Sequence, residues 1–86
     1  MKKTFQYYAI FNYGEDGITV TFPDFPGCIT SGRNLDEATE CAQEAMGLHI
    51  YGLYEEGLPI PKCSQLADID GSGDVSIVLI SETLEL

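Results

Sequence analysis

Few side chains in this sequence have the types and spacing for chemistry. Its one histidine, His49, sits at helical periodicity beside Tyr51 and Tyr54. An imidazole there has the range of a general base, but catalysis also needs a nucleophile or second acid–base group within hydrogen-bond reach. Spacing alone puts no serine or cysteine next to it, so a structural histidine is the better reading. Asp16, Asp24, Asp36 and Glu37 are of the type that holds paired divalent ions in nucleases. No lysine or arginine cluster accompanies them to grip a nucleic acid. Asp68-Ile-Asp70-Gly-Ser72-Gly-Asp74 imitates the start of a calcium loop, but Leu79 stands where the bidentate glutamate is required, and strand-forming residues follow in place of a helix. It reads as a turn. Cys28 follows Gly27 with no neighbouring cation to lower its pKa, so it is not a reactive thiol. No catalytic residue, metal site or cofactor is expected.

Charge narrows the partners. Fourteen acidic residues against four basic ones give a formal net charge of −10 over 86 residues. Such a surface repels phosphates, which argues against direct binding to nucleic acid or an anionic membrane, and it accelerates the approach of a basic protein. The length suits one small domain. Three cysteines at wide spacings, Cys28, Cys41 and Cys63, cannot close a full disulfide framework, and a reducing cytoplasmic compartment is the simplest account. The segment after Met1-Lys-Lys is aromatic and interrupted, unlike the apolar core of a signal peptide.

The elements that must position these residues follow from periodicity. Residues 5 to 13 are rich in aromatic and β-branched types and form a first strand. Gly14-Glu-Asp-Gly17 is a hairpin turn, and 18 to 22 a second strand with Ile18, Val20 and Phe22 inward. Then comes Phe22-Pro23-Asp24-Phe25-Pro26-Gly27-Cys28, where two prolines fix φ and Gly27 permits a positive one. This is a rigid corner into a short third strand at 28 to 33. Asn34 and Glu37 have capping-box spacing, and the helix they open runs to about Glu56, ahead of Gly57 and Pro59. Leu35, Ala38, Ala42, Ala45, His49 and Leu53 share one face of it, with Met46, Ile50 and Tyr54 widening the stripe. A last strand spans 75 to 80, and 81 to 86 is a short acidic tail.

The order β-β-β-α-β predicts an α+β fold, a mainly antiparallel sheet with one principal helix on one face. One helix covers one face only, yet the first strand carries apolar groups on both: Tyr8 and Ile10 on one, Tyr7, Ala9, Phe11 and Tyr13 on the other. The uncovered face is therefore expected to expose an aromatic-rich patch of the kind that marks a protein interface. Tyr7, Phe11, Tyr13, Asp24 and Phe25 are the candidate contacts, and Pro23, Pro26, Gly27 and Cys28 the fold-defining corner.

Taken together, Tyr7-Tyr8-Ala9-Ile10, Glu15-Asp16-Gly17, Val20-Thr-Phe-Pro-Asp-Phe-Pro-Gly-Cys28, Thr30-Ser-Gly32, Asn34-Leu-Asp-Glu-Ala38 and Glu56-Gly-Leu-Pro-Ile-Pro61 resemble the N-terminal domain of HicB-family antitoxins over roughly residues 5 to 80. The resemblance implies a degenerate RNase H-like fold without the catalytic carboxylates. It also implies a cognate partner, HicA, a small basic toxin that cleaves mRNA and is neutralised by masking. Full-length relatives usually continue into a DNA-binding domain, so residues 1–86 are expected to form the N-terminal domain alone. Self-association into a homo-oligomer is expected. Two other readings stay open: a metal-dependent nuclease on the same fold, and a self-associating regulatory domain with no toxin partner.

Overall fold

Polar pairing carries the sheet further than its apolar alternation suggests. The structure, a computed structural model, describes all of residues 1–86. It contains strands β1 (Lys2–Gly14), β2 (Gly17–Thr21) and β3 (Ile29–Gly32), helix α1 (Leu35–Glu55) and strand β4 (Val75–Glu85), with one 3-10 turn at Leu66–Asp68. The fold is α+β, in the order β-β-β-α-β. The four strands form a single sheet in the order β3-β2-β1-β4, and every neighbouring pair is antiparallel.

The acidic tail expected after residue 80 is instead the second half of β4. Residues Ser81 to Glu85 pair with Lys2 to Gln6. Thr4 and Thr83 hydroxyls meet at 2.8 Å, Gln6 Nε2 donates to Ser81 Oγ at 2.8 Å, and the Met1 ammonium reaches Glu85 Oε1 at 3.0 Å. Cross-strand pairs of this kind stabilise a ladder without any apolar residue. A search for hydrophobic alternation passes over them.

The core lies on one face. Phe5, Tyr7, Ala9 and Phe11 of β1, Ile18 and Val20 of β2, and Ile80 of β4 are buried with Ala38, Ala42, Met46 and Ile50 of α1. Met46 and Ile50 stand at the centre of the helix's inner face rather than its flanks, while Leu35, in the first turn, is half exposed. The helix start is a capping box displaced by one residue. Asn34 Oδ1 accepts from the Glu37 amide at 2.9 Å, and Glu37 Oε1 reaches back to the Arg33 amide at 3.2 Å, one position before the cap. That backbone hydrogen bond, with Arg33's guanidinium, lowers the Glu37 pKa.

Small residues set how closely helix and sheet approach. A methyl group added at Gly32 would sit 2.3 Å from the Ala38 backbone nitrogen, whereas one added at Gly52 would meet nothing within 4 Å. The two glycines therefore respond oppositely to alanine. Gly32→Ala is expected to destabilise the protein by about 2–3 kcal/mol through overpacking, and Gly52→Ala to stabilise it by about 0.5–1 kcal/mol through helix propensity. Urea unfolding midpoints of the two variants check both signs.

Candidate partner-binding surface

The corner between β2 and β3 is two turns laid end to end. Phe22 O accepts from the Phe25 amide at 3.1 Å, and Phe25 O from the Cys28 amide at 3.0 Å. Pro23 and Pro26 lie outside, exposed, where a missing donor leaves nothing unsatisfied. Gly27 takes φ 88°, a conformation open to glycine and costly to other residues. This geometry turns the Phe25 side chain inward until it is 1% exposed, edge-on to Tyr7 at 4.5 Å and Phe22 at 6.2 Å, with the His49 ring 5.1 Å away.

The same corner ties down the chain that leaves the helix. Asp24 Oδ2 accepts from the Ser64 amide at 3.0 Å and Asp24 Oδ1 from the Ser64 hydroxyl, while the Tyr7 hydroxyl donates to Pro61 O. Burial, and secondarily the Asp24 charge, raise the Tyr7 pKa, so the phenol keeps the proton it donates. Cys28 is buried and its thiol is likewise raised by burial.

These placements correct most of the expected contact set. Tyr7, Phe11 and Phe25 are interior side chains with no surface to offer, because their parity on β1, or the corner's turn, directs them under the helix. Tyr13 is exposed, but its hydroxyl donates to Ser76 Oγ at 3.0 Å, and it shares the helix-side parity of Phe11. Asp24 is half-buried and committed to Ser64. No common contact surface is formed by the five.

The face away from the helix carries the other parity. Opposed residues in antiparallel strands share a face, so Tyr8 with Leu79, Ile10 with Ile77 and with Thr21, and Thr21 with Ile29 line it together. Leu79 is 45% and Ile29 64% exposed. An apolar uncovered face is present, but it is aliphatic with one tyrosine rather than aromatic-rich. Gln6 and Asn12, polar residues of the same parity, were the sequence signal for which face meets water.

A second exposed surface was missed by the sequence reading. On the outer side of α1, Glu40, Glu44, Leu48, Tyr51 and Glu55 succeed one another at three- and four-residue steps, all exposed, with Leu48 at 68%. Leu48 also lines a shallow cleft between α1 and β3 with Thr30, Cys41, Glu44 and Ala45. Tyr51 stacks near Tyr54 at 6.5 Å, and Leu58 continues the exposed apolar surface past the helix end. The signal available for it was Leu48 at a position the inner stripe does not use. Elsewhere, Asp70 Oδ1 accepts from the Ser72 amide at 3.0 Å in the turn before β4, and no three histidine, cysteine or carboxylate side chains gather at metal-binding range. No helix is long and apolar enough to cross a membrane.

A small α+β domain with an inert interior and two exposed apolar surfaces has the build of a binding module. The chain belongs to the HicB-like antitoxin family of bacterial toxin–antitoxin systems, whose model matches residues 7–80. It is 28% identical to Antitoxin HicB 2 of Photorhabdus laumondii subsp. laumondii over 89 residues, 99% of this chain and 64% of that protein. It thus spans less than two thirds of the length of the curated relatives it matches. Its fold is shared with a toxin–antitoxin complex from Streptococcus pneumoniae (TM-score 0.83, 22% identity, 93% of this chain and 69% of that one). It is shared too with the N-terminal domain of the Burkholderia pseudomallei antitoxin HicB (TM-score 0.73, 24% identity, 95% and 100%).

Burial predicts the order in which the free thiols react. Cys63 is exposed, Cys41 half-buried and Cys28 buried. With a colorimetric disulfide reagent in native buffer, Cys63 is expected to react first and Cys28 only on unfolding; early modification of Cys28 would contradict this packing. Asp24→Ala should lower stability by about 1–3 kcal/mol, since it leaves the Ser64 amide without its acceptor. Thermal melts compared with Ser64→Ala in a double-mutant cycle measure the coupling.

Proposed function

We propose that this chain is the toxin-binding part of an antitoxin and neutralises a small basic, mRNA-cleaving HicA-like toxin by covering it. The observation that carries the reading is the outer face of α1, where exposed Leu48 and Tyr51 are framed by Glu40, Glu44 and Glu55. An apolar centre with an acidic rim fits a basic partner: the centre supplies burial and the rim supplies steering and register. Membership of the HicB-like family supports the class of partner. In this reading the chain performs no catalysis, contacts no nucleic acid itself and acts in the cytoplasm, where the toxin's mRNA substrate is.

Masking asks little of the chain's chemistry. A toxin that binds RNA presents cations to it, and the −10 charge of this chain competes for the same surface. Long-range attraction raises the association rate, and desolvation of Leu48 and Tyr51 against the toxin slows release.

Co-expression with a small basic HicA-like toxin tests the reading. The wild-type chain should restore growth and co-purify with the toxin. Leu48→Lys with Tyr51→Lys should reduce affinity at least tenfold while leaving the melting temperature near that of wild type, because both side chains face water. Failure of the wild type to rescue or co-purify would overturn the reading. Unchanged affinity in the double variant would remove this face from it.

A further inference from the structure

Helix α1 and edge strand β3 are pressed together at one end and part at the other. At the tight end, a methyl group added to Gly32 would sit 2.3 Å from the Ala38 nitrogen. Thr30 lies on the same side of β3 as Gly32, since the two are opposed to the inward residues Val20 and Ile18 of β2. One and two turns beyond Ala38 the helix presents Cys41 and Ala45, which are too small to fill the space against Thr30. The result is an open cleft of about 230 Å³ with the exposed Leu48 and Glu44 at its rim. Ala45 is fixed in place, because its carbonyl accepts from the Cys28 thiol at 3.7 Å.

Size and lining decide what fits. Small-molecule sites span about 300–1,000 Å³ and enclose most of their ligand; this cleft is smaller and open, on the scale of one protein side chain. Its walls are apolar at Ala45 and Leu48, and its one charged group is Glu44. Glu44 belongs to neither of the chain's ion pairs, Met1–Glu85 and Arg33–Glu37. An apolar side chain seated here would strip water from Glu44 and give nothing in return. A long basic side chain satisfies both halves: its methylene stem lies along Ala45 and Leu48, and its cation meets Glu44. The surroundings favour the same sign of charge, because α1 carries five carboxylates and no lysine or arginine. The larger cleft at the Gly14–Gly17 turn is less suited. It has only Ile18 as an apolar wall, and its one cation, Arg33, is already paired with Glu37.

We infer that the cleft between α1 and β3 is the receptor for one arginine or lysine side chain of the basic toxin, with Ala45 and Leu48 along the stem and Glu44 on the cation. The inference rests on the toxin-binding function proposed for this chain, and it divides the acids of the helix face into two kinds. Glu40 lies on open surface outside the cleft and acts at long range, so removing its charge slows association alone. Glu44 closes over a desolvated ion pair, so removing its charge also speeds release. Leu48 shields that pair from water, which is the task of the apolar residues around a buried anchor.

Two measurements with a purified HicA-like toxin test this. Cys41 lines the cleft and reports on it without mutation. Bound toxin should slow the reaction of Cys41 with a thiol reagent by about tenfold or more, while the exposed Cys63 reacts as before. Glu44→Gln and Glu40→Gln remove the same charge from the same helix and should slow association alike. Only Glu44→Gln should raise the dissociation rate, by about tenfold or more. Both side chains are exposed, so thermal melts of the two variants should match the wild type. Failure of the wild-type chain to bind toxin overturns the toxin-binding function and this inference with it. Binding that leaves Cys41 as reactive as in the free chain overturns the cleft alone. So does a Glu44→Gln dissociation rate equal to that of Glu40→Gln, whatever happens at Cys41.

Discussion

One helix against four strands is the constraint from which the other features follow. Helix α1 covers a single face, and it lies low because Gly32 lets the β3 backbone meet that of Ala38, while Gly47 leaves room for the Glu82 and Leu84 side chains; a methyl group added at Gly47 would lie 3.3 Å from Glu82 Cγ. All fourteen core side chains are hydrophobic, and no polar or charged residue is buried. The interior therefore holds neither an acid–base pair nor a metal-ligand set. Whatever the chain recognises must be met at its surface: the back of the sheet, the β4 edge and the outer side of α1.

The corner from Phe22 to Cys28 makes that economical packing possible in so short a chain. It closes the end of the core with Phe25, where a helix or further strand would otherwise be needed. Through Asp24 and Tyr7 it also binds the segment at Pro61 and Ser64, so the chain leaving the helix is fixed against the strands it must rejoin. Removing a buried aromatic ring typically destabilises a protein by about 3–5 kcal/mol, a large fraction of what a small domain possesses. The corner acts as a structural clamp.

Much of this was legible in the sequence. Element order, the helix from its cap at Asn34 to its stop before Gly57, and the proline corner all announce themselves through local chemistry, and the local signals agree with one another. The parity of β1 was harder, because both of its faces are apolar around Tyr7 to Phe11. Only the neighbouring Gln6 and Asn12 distinguish them. Residues 81 to 85 were unreadable as strand because they are held by Thr4–Thr83 and Gln6–Ser81 pairs that lie far apart in the chain. The outer face of α1 went unseen for a related reason: periodicity locates what is buried, and an exposed Leu48 among glutamates gains meaning only once the opposite face is known to be covered.

Charge and apolar surface are thus divided between regions: acids frame the outside of α1, while the first half of β4 carries none. In the function proposed, the acidic helix face receives a basic toxin. Amide chemical-shift mapping of the labelled chain during titration with the toxin tests it most directly. The largest changes are expected on Glu40 to Glu55 and in the cleft at Thr30 and Cys41, with Phe22 to Cys28 little moved. Changes centred instead on Tyr8, Ile10 and Leu79, with the helix face silent, would contradict it.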